Sequence, residues 1–180
     1  MRRMIVSLAS LAFVATVYFA NWLVNHYGPI RVWPTDLLAP AGVYVIGLAF
    51  LLRDTVQRLA GQALALILIA VGTGLTALFV STSLAGASAA AFASSETVGL
   101  ALFWLAGGNR GGPVQLGTAV GLSSAASAAL DSYVFLSIAF GSLAFFDGQL
   151  VAKLSVTVLA FPFVLLARRA APSPEAALAA

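Results

Sequence analysis

The sequence has no cysteine, a single histidine and very little charge: 8% of its 180 residues are Asp, Glu, Lys or Arg, against about 25% in ordinary globular chains. Without a thiol there is no disulfide, no thiolate nucleophile and no thiolate metal site. One histidine, His26, and six scattered carboxylates leave no ligand set for a metalloenzyme. No serine–histidine, paired-aspartate or metal motif stands out, so no cofactor and no enzymatic activity are implied. The net charge of +3 is small. In such a chain the basic residues speak to orientation in a bilayer rather than to binding nucleic acid.

What is present is apolar side chain, 61% of the total. Several runs reach the roughly 20 residues that cross a bilayer as a helix. The class is therefore all-α, a polytopic membrane protein with the lipid bilayer as its main partner. Met1-Arg2-Arg3 and the apolar run after it mimic a secretory signal peptide. The run continues to Val24, however, and Tyr18-Phe19-Ala20 makes a poor cleavage site, so it reads as a first span.

Six spans fit, at about 4–24, 37–58, 62–80, 82–106, 114–140 and 149–167, the fifth interrupted or tilted near Gly121. Together they make one transmembrane domain, 1–169, followed by a disordered cytoplasmic tail, 170–180. The loop after the first span holds Gly28, Pro29, Trp33 and Pro34, and Gly107-Gly108-Asn109-Arg110-Gly111-Gly112-Pro113 breaks the fourth from the fifth. With both termini inside, that side collects Arg2, Arg3, Arg58, Arg110, Arg168 and Arg169, and the other only Arg31 and Lys153. The positive-inside rule selects this N-in/C-in orientation. Trp22, Tyr27 and Trp33 then sit near the outer boundary and Trp104 near the inner one. No internal repeat supports an inverted-repeat architecture.

Charges within spans are costly and usually face a bundle interior or a water cavity. Five qualify: Arg53, Asp54, Glu96, Asp131 and Lys153, with Arg58 at the inner interface. At about 1.5 Å per residue, Arg53 and Asp54 lie roughly 25 Å from the outer surface and Glu96 about 21 Å. Arg53 or Arg58 can thus neutralise Glu96. Asp131 and Lys153 both fall in the outer half, where they can pair, and Asp54 and Arg58 are spaced for an i, i+4 pair. Carboxylates facing one cavity suit a guanine-like edge, whose parallel N–H donors one carboxylate accepts. Tyr18, Trp22, Tyr44, Phe92, Tyr133 and Phe135 are candidate stacking faces. The small-residue runs 84–91 and 121–129 are the packing surfaces expected between membrane helices.

Several segments resemble, in order, those of the vitamin-uptake-transporter-like family, in particular its queuosine-precursor branch. They are Asn21-Trp22-Leu23-Val24, Pro40-Ala41-Gly42, the run 50–61 from Phe50-Leu51-Leu52-Arg53-Asp54 to Gly61, Ala91-Phe92-Ala93-Ser94-Ser95-Glu96, Leu130-Asp131-Ser132-Tyr133 and Gly148-Gln149-Leu150-Val151-Ala152-Lys153. The resemblance covers about residues 20–163. It implies a six-helix, multi-pass protein of the bacterial inner membrane that imports 7-deazaguanine-type bases. Its substrate-binding residues would be Asn21, Asp54, Arg58, Glu96, Asp131 and Lys153, and the partner a purine-like small molecule.

Two alternatives stand beside it. One is the substrate-binding subunit of an energy-coupling-factor vitamin importer, which would dock an energising module on the Ala12, Thr16, Ala20 face; the other is a structural membrane protein without transport. A homo-oligomer is a further partner consistent with the sequence.

Overall fold

A computed structural model of the chain describes residues 2–107 and 113–170. These form six helices: α1 (Arg2–His26), α2 (Val43–Ala60), α3 (Gln62–Phe79), α4 (Thr82–Leu105), α5 (Pro113–Phe140) and α6 (Phe146–Ala170). A two-stranded antiparallel hairpin, β1 (Ile30–Arg31) with β2 (Leu38–Ala39), joins α1 to α2, with Ile30 opposite Ala39 and Arg31 opposite Leu38. The tail expected from residue 170 lies, beyond Ala170 itself, outside the described residues.

Two boundaries differ from the expected ones for local reasons. The second helix starts at Val43 rather than near residue 37, because 37–39 belong to the hairpin. Pro40 cannot donate a backbone hydrogen bond, and its carbonyl instead accepts from Val43 N at 3.0 Å. The fifth helix runs unbroken through Gly121; a glycine costs a helix only about 1 kcal/mol, and 28 residues absorb that readily.

The helices close a ring. In packing order it runs α1, α2, α6, α5, α4, α3 and back to α1, with α2 also touching α3. The α4–α5 contact is the most extensive, as the alanine and serine runs of both helices lead one to expect. Ala87, Ala91, Ser95 and Ser127 are buried there, and Ser127 Oγ donates to the Ser95 carbonyl at 3.0 Å. Small side chains let the two backbones approach, which is how membrane helices gain contact without a hydrophobic driving force.

The surface is inside-out relative to a water-soluble protein. Leu11, Leu78, Val158 and Leu159 are each at least 70% exposed, while Arg53, Glu96, Asp131 and Lys153 are each at most 5% exposed. Apolar surface outside and charge inside is the signature of a bundle solvated by lipid. Four helical stretches, Arg3–His26, Gln62–Phe79, Thr82–Leu105 and Gly117–Phe140, are long and apolar enough to cross a membrane; the chain is a multi-pass membrane protein. Neither α2 nor α6 is among the four, and α2 carries Arg53, Asp54 and Arg58 within 18 residues.

The hairpin seats on one end of the ring. Val32 and Ala39 are buried with Val43 of α2 and Ala152 of α6. Trp33 N donates to the Tyr44 hydroxyl at 3.1 Å, and Gly148 lies against the Leu38 backbone with no room for a Cβ. Tyr27, Trp33 and Trp104 are exposed near helix ends, as interfacial anchors are. On α1, the face formed by Ala12, Thr16 and Ala20 is partly used internally, since Ala20 is buried against Gly42.

Candidate functional site

Five of the six helices send residues to one pocket at the hairpin end of the ring. Asn21 comes from α1, Gly42 from just before α2 and Ile46 from its first turn, Ser88 and Phe92 from α4, Asp131 and Phe135 from α5, and Gln149 and Lys153 from α6. It is narrow, with free space of about 20 Å³, room for about one water molecule. Each helix reaches it near the same end. Asn21 is five residues from the end of α1, Ser88 six from the start of α4, and Lys153 seven from the start of α6, so all lie within about 11 Å of that end.

The polar centre is Lys153, 1% exposed. Its Nζ donates to Asp131 Oδ2 at 2.7 Å, Ser132 Oγ at 2.7 Å and Gln149 Oε1 at 2.6 Å. An ammonium has three N–H donors, and each meets one acceptor. Gln149 is placed by the helix itself, since i and i+4 share a face. Across the pocket Asn21 donates from Nδ2 to the Val17 carbonyl at 3.0 Å and accepts from Ser88 Oγ at 2.7 Å on its Oδ1. The polar atoms are thus occupied by one another, and the surface that faces the open space is the apolar one of Val24, Ile46, Phe92 and Phe135. The cluster is neutral overall, one cation against one carboxylate.

A close backbone contact shapes the mouth. A Cβ on Gly42 would collide with the Ala20 backbone, so only glycine lets the start of α2 lie against α1 beside Asn21.

The second buried pair, Arg53 with Glu96, is not part of this wall. Arg53 of α2 donates to Glu96 Oε1 of α4, and its guanidinium also lies 5.2 Å over the Phe50 ring. Glu96 follows Phe92 by one helical turn, so the pair sits one level further from the hairpin than the pocket.

The residues singled out in the sequence thus separate. Asn21, Asp131 and Lys153 meet at the pocket; Glu96 pairs below it with Arg53. The side chains of Asp54 and Arg58 lie outside the described residues. Of the aromatic candidates, Phe92 and Phe135 line the pocket, whereas Tyr133 is 53% exposed. Trp22 stacks with Phe19 and His26, and Tyr44 holds the hairpin. Sequence reasoning missed Ser88, Ser132 and Gln149. The i, i+4 spacing of Gln149 and Lys153 was the signal that could have found one of them.

Residues 80–167 match the family model described as "Putative vitamin uptake transporter". The matched segment takes in α4, α5 and nearly all of α6. It therefore includes Ser88, Phe92, Glu96, Asp131, Gln149 and Lys153, but neither Asn21 nor Arg53. No curated protein and no solved structure matches the chain.

Proposed function

We propose that this protein imports a small, polar, purine-like solute, a 7-deazaguanine-type queuosine precursor, through the pocket at the hairpin end of the ring. The observation that carries the reading is the Lys153 cluster. A charged pair with two further polar side chains, Ser132 and Gln149, is buried in a lipid-solvated bundle beside a small cavity, where a buried pair contributes little to stability. The family match over α4 to α6 supports transport of a small molecule, and the ordered sequence resemblance supports the deazaguanine class.

In this reading the solute takes over part of the internal hydrogen bonding. Asp131 accepts from paired N–H groups of the base, Gln149 and Lys153 donate to its carbonyl, and Phe92 or Phe135 covers a ring face. Asn21 and Ser88 close the opposite side. Glu96, with Asp54 and Arg58 on α2, belongs to the path beyond the pocket. Six spans with both termini cytoplasmic, in the bacterial inner membrane, complete the proposal; the basic residues support that orientation.

Uptake of labelled base by cells lacking their own importer is the test. Expression of this chain is expected to restore uptake, and Asp131→Ala to abolish it. Wild-type uptake by Asp131→Ala sinks the site assignment.

A further inference from the structure

Two buried ion pairs of the same chemistry lie at successive levels of the ring, and an apolar layer separates them. On α4 the order is Ser88 at the pocket, Phe92, then Glu96, four residues apart and on one face. On α2 it is Ile46 at the pocket, Phe50, then Arg53. The two phenylalanines meet edge to face, centroids 6.2 Å apart at 84°. They belong to one buried cluster with Phe13 and Val17 of α1 and Ala128 of α5, and side chains of α3 and α6 pack against it. Every helix of the ring contributes to this layer. Above it is Asp131 with Lys153, below it Glu96 with Arg53, some 12 Å along α4 from Ser88 to Glu96.

The contact geometry suits a movable partition. The edge-to-face contact is worth about 0.5–1.5 kcal/mol beyond area burial, and parting it means moving one ring to another staggered rotamer. Arg53 stacked on Phe50 couples the lower pair to one leaf of the partition. The lower pair, like the upper one, sets a cation against a carboxylate. We propose that Phe50 and Phe92 form a gate between two polar stations on one path, the pocket and the Arg53–Glu96 pair, so that the solute passes from one carboxylate–cation pair to the next. The proposal rests on the transport reading above.

The chain has no cysteine, so single cysteines can be introduced. Ser88→Cys reports the pocket. Glu96→Cys, made together with Arg53→Met so that no charge is left alone, reports the level below the gate. Reaction with a small hydrophilic thiol reagent is followed in purified full-length protein without solute. Ser88→Cys is expected to react faster than Glu96→Cys. Adding Phe50→Leu, which removes the ring contact at a residue outside the pocket lining, should raise the Glu96→Cys rate by about two- to tenfold and leave the Ser88→Cys rate unchanged. Adding Phe92→Leu should raise the Glu96→Cys rate as well. A Glu96→Cys rate unmoved by both changes overturns the gate, as does equal reactivity of the two cysteines with both phenylalanines present. Thermal unfolding of each variant identifies a general loosening of the bundle, which would raise both cysteine rates together and also count against a gate. Because no solute is present, loss of the transport reading leaves these outcomes intact, and loss of the gate leaves uptake to be judged separately.

Discussion

The two buried ion pairs invite comparison because they share chemistry but not surroundings. Asp131 and Lys153 sit beside a small cavity, with Ser132 and Gln149 completing the coordination of the ammonium. Arg53 and Glu96 are closed in by helix packing, with the Phe50 ring against the guanidinium. Desolvation offsets most of the attraction in either pair, so neither is explained by stability alone. The difference lies in access: the upper pair borders a small cavity that a solute has to widen, whereas the lower pair opens only if the apolar layer above it moves. In the proposed account the upper pair therefore selects and the lower pair serves passage.

The largest expected effect comes from splitting the pairs. Lys153→Ala leaves Asp131 buried without its cation and is expected to cost about 3–5 kcal/mol, read as a lower unfolding temperature in detergent. Replacing both partners, Asp131→Leu with Lys153→Met, should recover most of that loss but no uptake. If the double variant transports, the upper pair does not select.

Gly42→Val comes next. Its side chain meets the Ala20 backbone, and overpacking of this kind costs about 1–3 kcal/mol. It should also narrow the mouth beside Asn21, so uptake is expected to fall while Glu96 keeps its partner. Uptake at the wild-type level would mean that solute does not enter between α1 and α2.

A smaller change is expected from Ser88→Ala, which removes the hydrogen bond to Asn21 Oδ1. At about 0.5–1.5 kcal/mol for such a bond, the half-saturating solute concentration should rise by about two- to tenfold. The maximal uptake rate should stay the same. A loss of maximal rate alone would move Ser88 from the binding wall to the passage.

The smallest effect is assigned to Tyr44→Phe, which frees Trp33 N from the tyrosine hydroxyl. That hydrogen bond is exposed, so hydrogen exchange at the hairpin is expected to quicken with little change in uptake. A strong transport defect would make the hairpin part of the mechanism rather than a cover.

How much of this could be read from the residues follows from what sequence spacing encodes. Depth along a helix is a count of residues, so the level shared by Asp131 and Lys153 was legible, and so was the Arg53 or Arg58 alternative for Glu96. Azimuth around a helix is less so. Asp131 and Tyr133 are two residues apart and point to different sides, one into the pocket and one outward. One shared site was therefore expected, and the described charged side chains within the helices lie at two levels. The resemblance also drew attention from Arg53 to Arg58; among the described side chains, Arg53 is bonded to Glu96. Uncharged partners were hidden for another reason. Ser88 and Ser132 sit in helices full of serine and alanine, where most such residues only let backbones approach. The hairpin escaped notice because two-residue strands carry no periodicity, so the second helix was drawn six residues too early.

The most direct test of the central claim is calorimetric titration of a 7-deazaguanine base into the purified protein, its Asp131→Asn variant and its Glu96→Gln variant. The account predicts saturable binding at one site in the native protein, none in Asp131→Asn, and near-native affinity in Glu96→Gln. Equal binding by Asp131→Asn, or no binding by the native protein, would contradict it.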